Sequence, residues 1–531
     1  MSGYPTMDQY NDAVQHPGTA FTDTSLKSAK IAENGMGLPK ALGGGFALTY
    51  TATSNGRKYA VRCFHKESLG LERRYASIDR GLKDAGGNYF VGFEYQPKGV
   101  SVNGTLYPIV KMDWVEGDTL GSFLEVNFKN KSRIESLRQQ FAALEIFLRK
   151  QGVAHGDIQN GNLLIGSDLK LIDYDGVYVP SLPIGQGTEL GHKHFQHPKR
   201  TAANFGPDMD RFSFLVVDLS LRAIAKDPKL FSKHSNGENI VLTANDFADP
   251  GSSAAFGDIQ SFPDLANDAT NLAKICLAPI SQVPTLDDFI AGKNIPNAVV
   301  HIRPASKSPT TNKQAAYIGA FDVVDANNYS AADRQVGNKV ELVGKITKVH
   351  VAKTKYGKPY CFVFFGHSNL CVKLNIWSEG IAKLANAPSP TWVGSWLSVQ
   401  GLIDPPFQSR RYGTSISITI TSNNQIRKIS EPQAQQRLRQ SVSGTSSPRR
   451  TNQDILDGLS PTPKRQTKPK RQATPPSKNK AILNTINSGA NRSASPVSLP
   501  SQQSKPTPKR GLPWGWIIFG LFVLFLFAQA N

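Results

Sequence analysis

Hydrophobic positions change period several times along this 531-residue chain. Between Glu67 and Gly86, Leu71, Tyr75, Ile78 and Leu82 recur at helical spacing and predict an amphipathic helix. Leu137, Phe141, Leu144, Ile146 and Leu148 predict a longer one from about Lys131 to Gln151. Elsewhere the pattern is strand-like. Asn55-Gly56 separates TATS from YAVRCF, a strong hairpin signal. Tyr107–Leu120 reads as a strand running into a Gly turn, and Leu163–Ile165 as a short buried strand. Beyond Val336 the alternation is regular, with Val340, Leu342, Gly344 and Ile346 on one face. In YCFVFF, Tyr360, Phe362 and Phe364 oppose Cys361, Val363 and Phe365; one set must be core.

These patterns divide the chain. Residues 1–300 alternate apolar runs, Gly turns and amphipathic stretches, as a mixed α/β domain does, and 301–317 form a polar linker. Residues 318–430 are strand-rich, and 431–510 are a Ser, Pro, Gln, Lys and Arg stretch too poor in apolar residues to fold. Residues 512–530 carry no charge and have the length of one transmembrane helix. Trp514 and Trp516 stand where an interfacial belt belongs, and Lys505, Lys509 and Arg510 precede it. The expectation is a single-pass anchor in the cytoplasmic (inner) membrane, with the folded domains in the cytoplasm.

Net charge is +20, which favours anionic partners. Residues 431–510 hold fifteen Lys and Arg against three acidic residues, more than half of that excess. This tail suits anionic lipid as well as nucleic acid. Cys63, Cys276, Cys361 and Cys371 make no CxxC pair, so neither a zinc site nor a disulfide framework is expected.

The densest chemistry is AHGDIQNGNLLIG, Ala154–Gly166, which sets His155, Asp157, Asn160 and Asn162 directly before a strand. Upstream lie the glycine cluster of LGGGFALTY and the strand AVRCF with its cation, Arg62. Glu72 is a candidate partner for Arg62. Downstream lie KLIDYDG, with Asp173 and Asp175, and GPDMDRFSFLVVDLSL, with Asp210.

In this order, from about Gly43 to Ile290, the parts resemble the protein kinase fold, and among kinases a bacterial kinase-like subgroup. The resemblance implies a bilobal domain that uses ATP and Mg²⁺ to phosphorylate Ser or Thr of proteins. Gly43, Gly44, Gly45, Phe46 and Ala47 would form the loop over ATP, with Arg62 and Glu72 at the phosphates. Met112 and Asp113 would lie at the hinge. Asp157 would be the catalytic base, and Asn162 and Asp173 the metal ligands, with Asp175 the alternative to Asp173. Three departures bear on activity. Arg62 replaces the family's Lys, Gly156 replaces the Arg of H-R-D, and D-F-G has become Asp173-Tyr174-Asp175-Gly176. The alternative reading is a catalytically impaired nucleotide-binding scaffold. His192, His194 and His197 fall in the activation segment, where a structural or docking role competes with metal binding.

The strand-rich region resembles an OB-fold barrel, five strands with a short helix between the third and fourth. The fold class expected is therefore α+β: a kinase-like domain, an all-β barrel, a disordered basic linker and one C-terminal transmembrane helix. The partners expected are a protein substrate, including the chain's own Ser/Thr-rich tail, and single-stranded nucleic acid at the barrel's aromatic face. Lys353, Lys355, Lys358, Arg410 and Arg411 would flank that face.

Overall fold

The computed structural model describes residues 3–33, 37–43, 47–65, 70–303, 317–354, 357–366, 370–409 and 413–443. All fall within one compact unit, Met1–Pro461. Its N-terminal part is built on an antiparallel sheet. Strands β1 (Ala41–Gly43), β2 (Ala47–Ser54) and β3 (Arg57–Phe64) are followed by helix α1 (Leu71–Ala85), β4 (Phe93–Val102) and β5 (Thr105–Asp113). The path β2-β3-β5-β4 is extended by Lys30–Ile31 on the outer edge of β2, and β1 also pairs with β2. The β2–β3 turn is Asn55-Gly56, both at positive φ, as such a hairpin requires. Leu71, Tyr75, Ile78 and Leu82 of α1 are buried in a core that continues into the next lobe.

That lobe is helical. It begins with α2 (Leu120–Asn127) and α3 (Lys131–Gln151). A tight hairpin follows, β6 (Leu163–Ile165) with β7 (Leu169–Leu171), and then α4 (Arg211–Lys226). Helix α4 is buried along most of its length, and Phe214 packs on Phe141 of α3.

The third part is a sheet of eight strands: β8 (Val323–Asp325), β9 (Lys339–Lys345), β10 (Lys348–Lys353), β11 (Pro359–Phe364), β12 (Leu370–Ile376), β13 (Trp396–Ser409), β14 (Gly413–Ile420) and β15 (Ile426–Ile429). The order is β8-β9-β13-β14-β12-β11-β10, with β15 on β13. Strands β12 and β14 run parallel. One bend at Ile346–Thr347 separates β9 from β10, and the two halves pair with strands from opposite ends of the path. The sheet therefore curls around a single core of Val340, Leu342, Val363, Phe365, Leu374 and Ile418. Helix α5 (Glu431–Ser443) closes its edge, where Arg437 pairs with buried Glu341 at 2.5 Å.

The expected fold class needs correction. The strand-rich region is a mixed eight-stranded sheet with short helices, because residues 323–325 and 426–429 add strands and one predicted strand splits into β9 and β10. No helix among the described residues is long and apolar enough to cross a membrane. The longest, α3, carries Lys and Arg along its exposed side. Residues 444–510 and 512–530 lie outside the described residues, while 431–443, expected as part of the disordered linker, form helix α5.

Candidate active site

Residues 155–162 form an irregular loop between α3 and β6 that is held from below. Asp210, entering α4, accepts from the backbone N–H of His155 and, at 2.8 Å, from that of Gly156. Buried donors of this kind need a partner, and a carboxylate satisfies two at once. Gly156 has φ +83°, and a Cβ there would run into the Gly176 carbonyl and Met209. An Arg is thus excluded by the backbone path, not merely absent. His155 Nε2 donates to the Ile172 carbonyl at 3.0 Å, and Ile172 N–H donates to the Asn162 carbonyl at 3.0 Å. These bonds join the loop to the Asp173–Asp175 segment.

The Asp157 carboxylate is oriented from several sides. Asn162 Nδ2 donates to it at 2.8 Å, the His192 backbone N–H at 2.6 Å and Gln159 Nε2 at 3.4 Å. Asn162 Nδ2 also reaches the Asp157 carbonyl at 3.0 Å, which leaves Oδ1 as the amide's acceptor. Asp157, Asn162 and the Asp173 segment are thus drawn together.

Arg62 crosses to this segment from β3. One terminal nitrogen pairs with Asp173 and the other with Asp175. Its Nε has no partner among the described residues. Asp173 has φ +67°, a strained backbone for a non-glycine residue, and its side chain is 45 % exposed. That of Asp175 is only 9 % exposed, and Tyr75 OH donates to its other oxygen. Arg74 donates to the carbonyls of Asp175, at 2.9 Å, and Val177, at 3.3 Å.

Burial raises the Asp173 pKa, but the Arg62 guanidinium outweighs it and holds the group below the usual carboxylate range. Burial, with Asp173 alongside, pushes Asp175 up despite Arg62. Glu189, from the segment before the histidines, is pushed well up by burial and by Asp175, Asp173 and Asp157. Four carboxyl groups, Asp157, Asp173, Asp175 and Glu189, thus lie close to the Arg62 and Arg74 guanidiniums. Hard oxygen donors of this kind fit Mg²⁺ better than a softer metal. As arranged, no cluster of three or more His, Cys, Asp or Glu among the described residues is set to hold a metal ion.

Other candidates fall differently. Glu72 is exposed and does not pair with Arg62; it lies off the buried stripe of α1 that carries Tyr75. Met112 is buried in the core at the end of β5, where it pairs with Phe93 and Ala60. Asp113 is exposed, and its N–H donates to the Gly92 carbonyl at 2.9 Å. Gly43 ends β1 and Ala47 opens β2, fully buried, while Gly44, Gly45 and Phe46 lie outside the described residues. Arg74 and Glu189 are site residues with no place in the sequence reading, and Tyr75 figured there only as a helix core position. Tyr75 was within reach, since helical spacing put it on the buried face; Glu189 carried no local signal.

The three histidines serve the segment itself. His192 Nε2 meets Glu238 at 3.1 Å, His194 Nδ1 accepts from Ala244 N–H at 3.2 Å, and His197 Nε2 donates to the Ile275 carbonyl at 3.0 Å. Burial lowers the His194 pKa to about 3, so its ring is neutral.

No protein-family model matches the chain, and no curated protein matches it. Among solved structures, the kinase domain of Mycobacterium tuberculosis PknI is similar at 15 % identity and a TM-score of 0.33. The match covers 52 % of this chain and 97 % of that one.

Proposed function

We propose that the chain is a kinase-like phosphotransferase that moves the γ-phosphate of ATP onto Ser or Thr hydroxyls of proteins. The observation that supports it most is the Asp157 carboxylate, aimed by Asn162 and the His192 N–H on a loop braced by Asp210 and tied to Asp173. In this reading Asp157 orients the attacking hydroxyl and accepts its proton. Asn162 and Asp173 would hold Mg²⁺, which neutralises triphosphate charge when bound. Asp173 is favoured over Asp175 because its carboxylate is the exposed one. The Ser/Thr-rich tail at 431–510 is a substrate available in cis.

Transfer of label from γ-labelled ATP to the protein or to a generic acceptor tests this. Asp157→Asn should lower it by ~10²–10⁴, the usual contribution of a positioned base. Equal label in wild type and Asp157→Asn would end the reading. A specific observation favours a second one. Both terminal nitrogens of Arg62 are engaged by the aspartates, which leaves no strong phosphate anchor on β3. On that reading the domain binds nucleotide without transfer, and ATP with Mg²⁺ raises the melting temperature while no label moves.

A further inference from the structure

A cavity of about 550 Å³ lies on the outer face of the third part, walled on its far side by residues 38–41 and by the first helix, Met7–Val14. Nothing in the phosphotransfer reading uses it. Its volume is in the range of small-molecule sites, and its lining mixes aromatic rings with a few converging polar groups.

The aromatic part comes from the outward set of YCFVFF. Cys361, Val363 and Phe365 are core, so Tyr360, Phe362 and Phe364 face outward. Phe362 packs against Trp377 at 5.7 Å between ring centroids. Phe407, also in the lining, is 48 % exposed, so part of its ring is left open. The Lys373 ammonium lies 4.5 Å from the centroid of Phe362 and 5.9 Å from that of Phe407.

The polar part is buried and incompletely satisfied. Asn375 is 8 % exposed and donates from Nδ2 to Ser417 Oγ at 2.8 Å, while its Oδ1 has no partner among the described residues. A buried acceptor left unmade costs free energy that a ligand donor would recover. Beside it, Asp404 accepts from Ser417 at 3.1 Å and Thr419 at 2.9 Å, both on one oxygen. Burial raises the Asp404 pKa to about 6, so the group is mostly ionised at neutral pH.

The ligand these groups ask for is flat. It offers N–H to Asn375 Oδ1 and the Asp404 carboxylate, accepts from Lys373, and stacks on Phe407. We propose that this cavity binds a single nucleobase carrying an exocyclic amino group. Residues 38–41 and the Met7–Val14 helix wall one side of it, which suits one base better than a continuous strand. The base is supplied by a free nucleotide or by an unpaired position of a single strand.

Calorimetric titration of the full chain tests this, with CMP, UMP, ribose 5-phosphate and a short oligo(dC) as probes. Cytosine keeps the measurement away from any ATP site. CMP should bind, and UMP, which lacks the amino group, should bind at least ~10-fold more weakly, as when a polar site is left unpaired. Phe407→Ala should weaken CMP by ~5-fold or more, the usual range for a lost base-stacking ring. Asn375→Leu should abolish the preference over UMP with little change in melting temperature, because the Nδ2–Ser417 bond it loses is offset by removal of an unsatisfied acceptor. A structural asparagine would instead lose stability. Asp173→Asn should leave CMP binding intact. Tighter binding of oligo(dC) than CMP, still dependent on Phe407, would make a strand the source of the base. The proposal is overturned if CMP binds no better than ribose 5-phosphate or if Phe407→Ala binds as wild type. Loss of binding in Asp173→Asn alone would also overturn it. If Asn375→Leu fails to fold, Phe407→Ala and the UMP comparison still decide.

Discussion

Arg62→Met asks whether the guanidinium is the counter-ion that holds the Asp173–Asp175 segment in place. Removing one partner of a buried pair leaves an uncompensated charge, at a cost of ~3–5 kcal/mol. The two carboxylates do not share that loss equally. Asp173 is 45 % exposed, so water replaces most of what Arg62 supplies, and its share is ~0–1 kcal/mol. Asp175 is 9 % exposed, so most of the loss falls there, about 3 kcal/mol near neutral pH. Protonation limits the penalty. Asp175 already titrates above its unfolded value of 3.8, and loss of Arg62 raises it further. The folded state then binds the extra proton, so the variant loses stability as pH rises through the folded pKa and recovers it below. Urea unfolding at pH 5 and pH 7.5 is the assay. The deficit should be larger at the higher pH, and Asp175→Asn in the Arg62→Met background should remove most of it. Magnesium ion alone should stabilise Arg62→Met more than wild type, because the guanidinium no longer competes for Asp173. An Arg62→Met variant that unfolds like wild type at both pH values would refute the reasoning, as would a deficit untouched by Asp175→Asn.

Other outcomes follow from the same structure. Gly156→Arg, which installs the Arg of the protein kinase H-R-D motif, should destabilise by more than ~2 kcal/mol and lower any activity, because the position has positive φ and is closed by the Gly176 carbonyl and Met209; thermal unfolding checks it. Asp210→Ala strips the His155 and Gly156 N–H groups of their acceptor. At ~1–3 kcal/mol for each unsatisfied buried donor, it should be among the most damaging single changes in the lobe, measured by urea unfolding. Asp404, pushed to about 6 from 3.8, carries its extra proton only when folded, so its contribution weakens as pH rises from about 4 to 6. A shift of this size is worth up to ~3 kcal/mol. Asp404→Asn should flatten that part of the stability–pH curve; an unchanged profile would show that the group is solvated.

Much of the architecture was legible because each element follows one period along its length. The Asn55-Gly56 turn, the buried stripe of α1 and the length of α3 are local consequences of side-chain spacing. The alternation in YCFVFF announced two faces but not which was inward. That depended on how the sheet curled, since a strand's two faces are equivalent until something packs against one of them. The eight-strand count was also not local, because it needed chain from residues 323–325 and 426–429 to find an edge.

By itself the sequence determined which polar residues share a short loop: Asp157 and Asn162 are five apart, and their amide–carboxylate bond follows from that proximity. It also determined that β3 carries a cation, Arg62; that this cation faces the segment after β7 was decided by the meeting of the two lobes. The partners of that cation were decided by tertiary structure. Glu72 has the spacing of a partner but falls on the solvent side of α1, while Tyr75 and the two aspartates, 111 and 113 residues from Arg62, fill the buried side. Glu189 joins them for the same reason. Electrostatic partners across long sequence separations are chosen by which face of each element is desolvated, and desolvation exists only once the elements have packed.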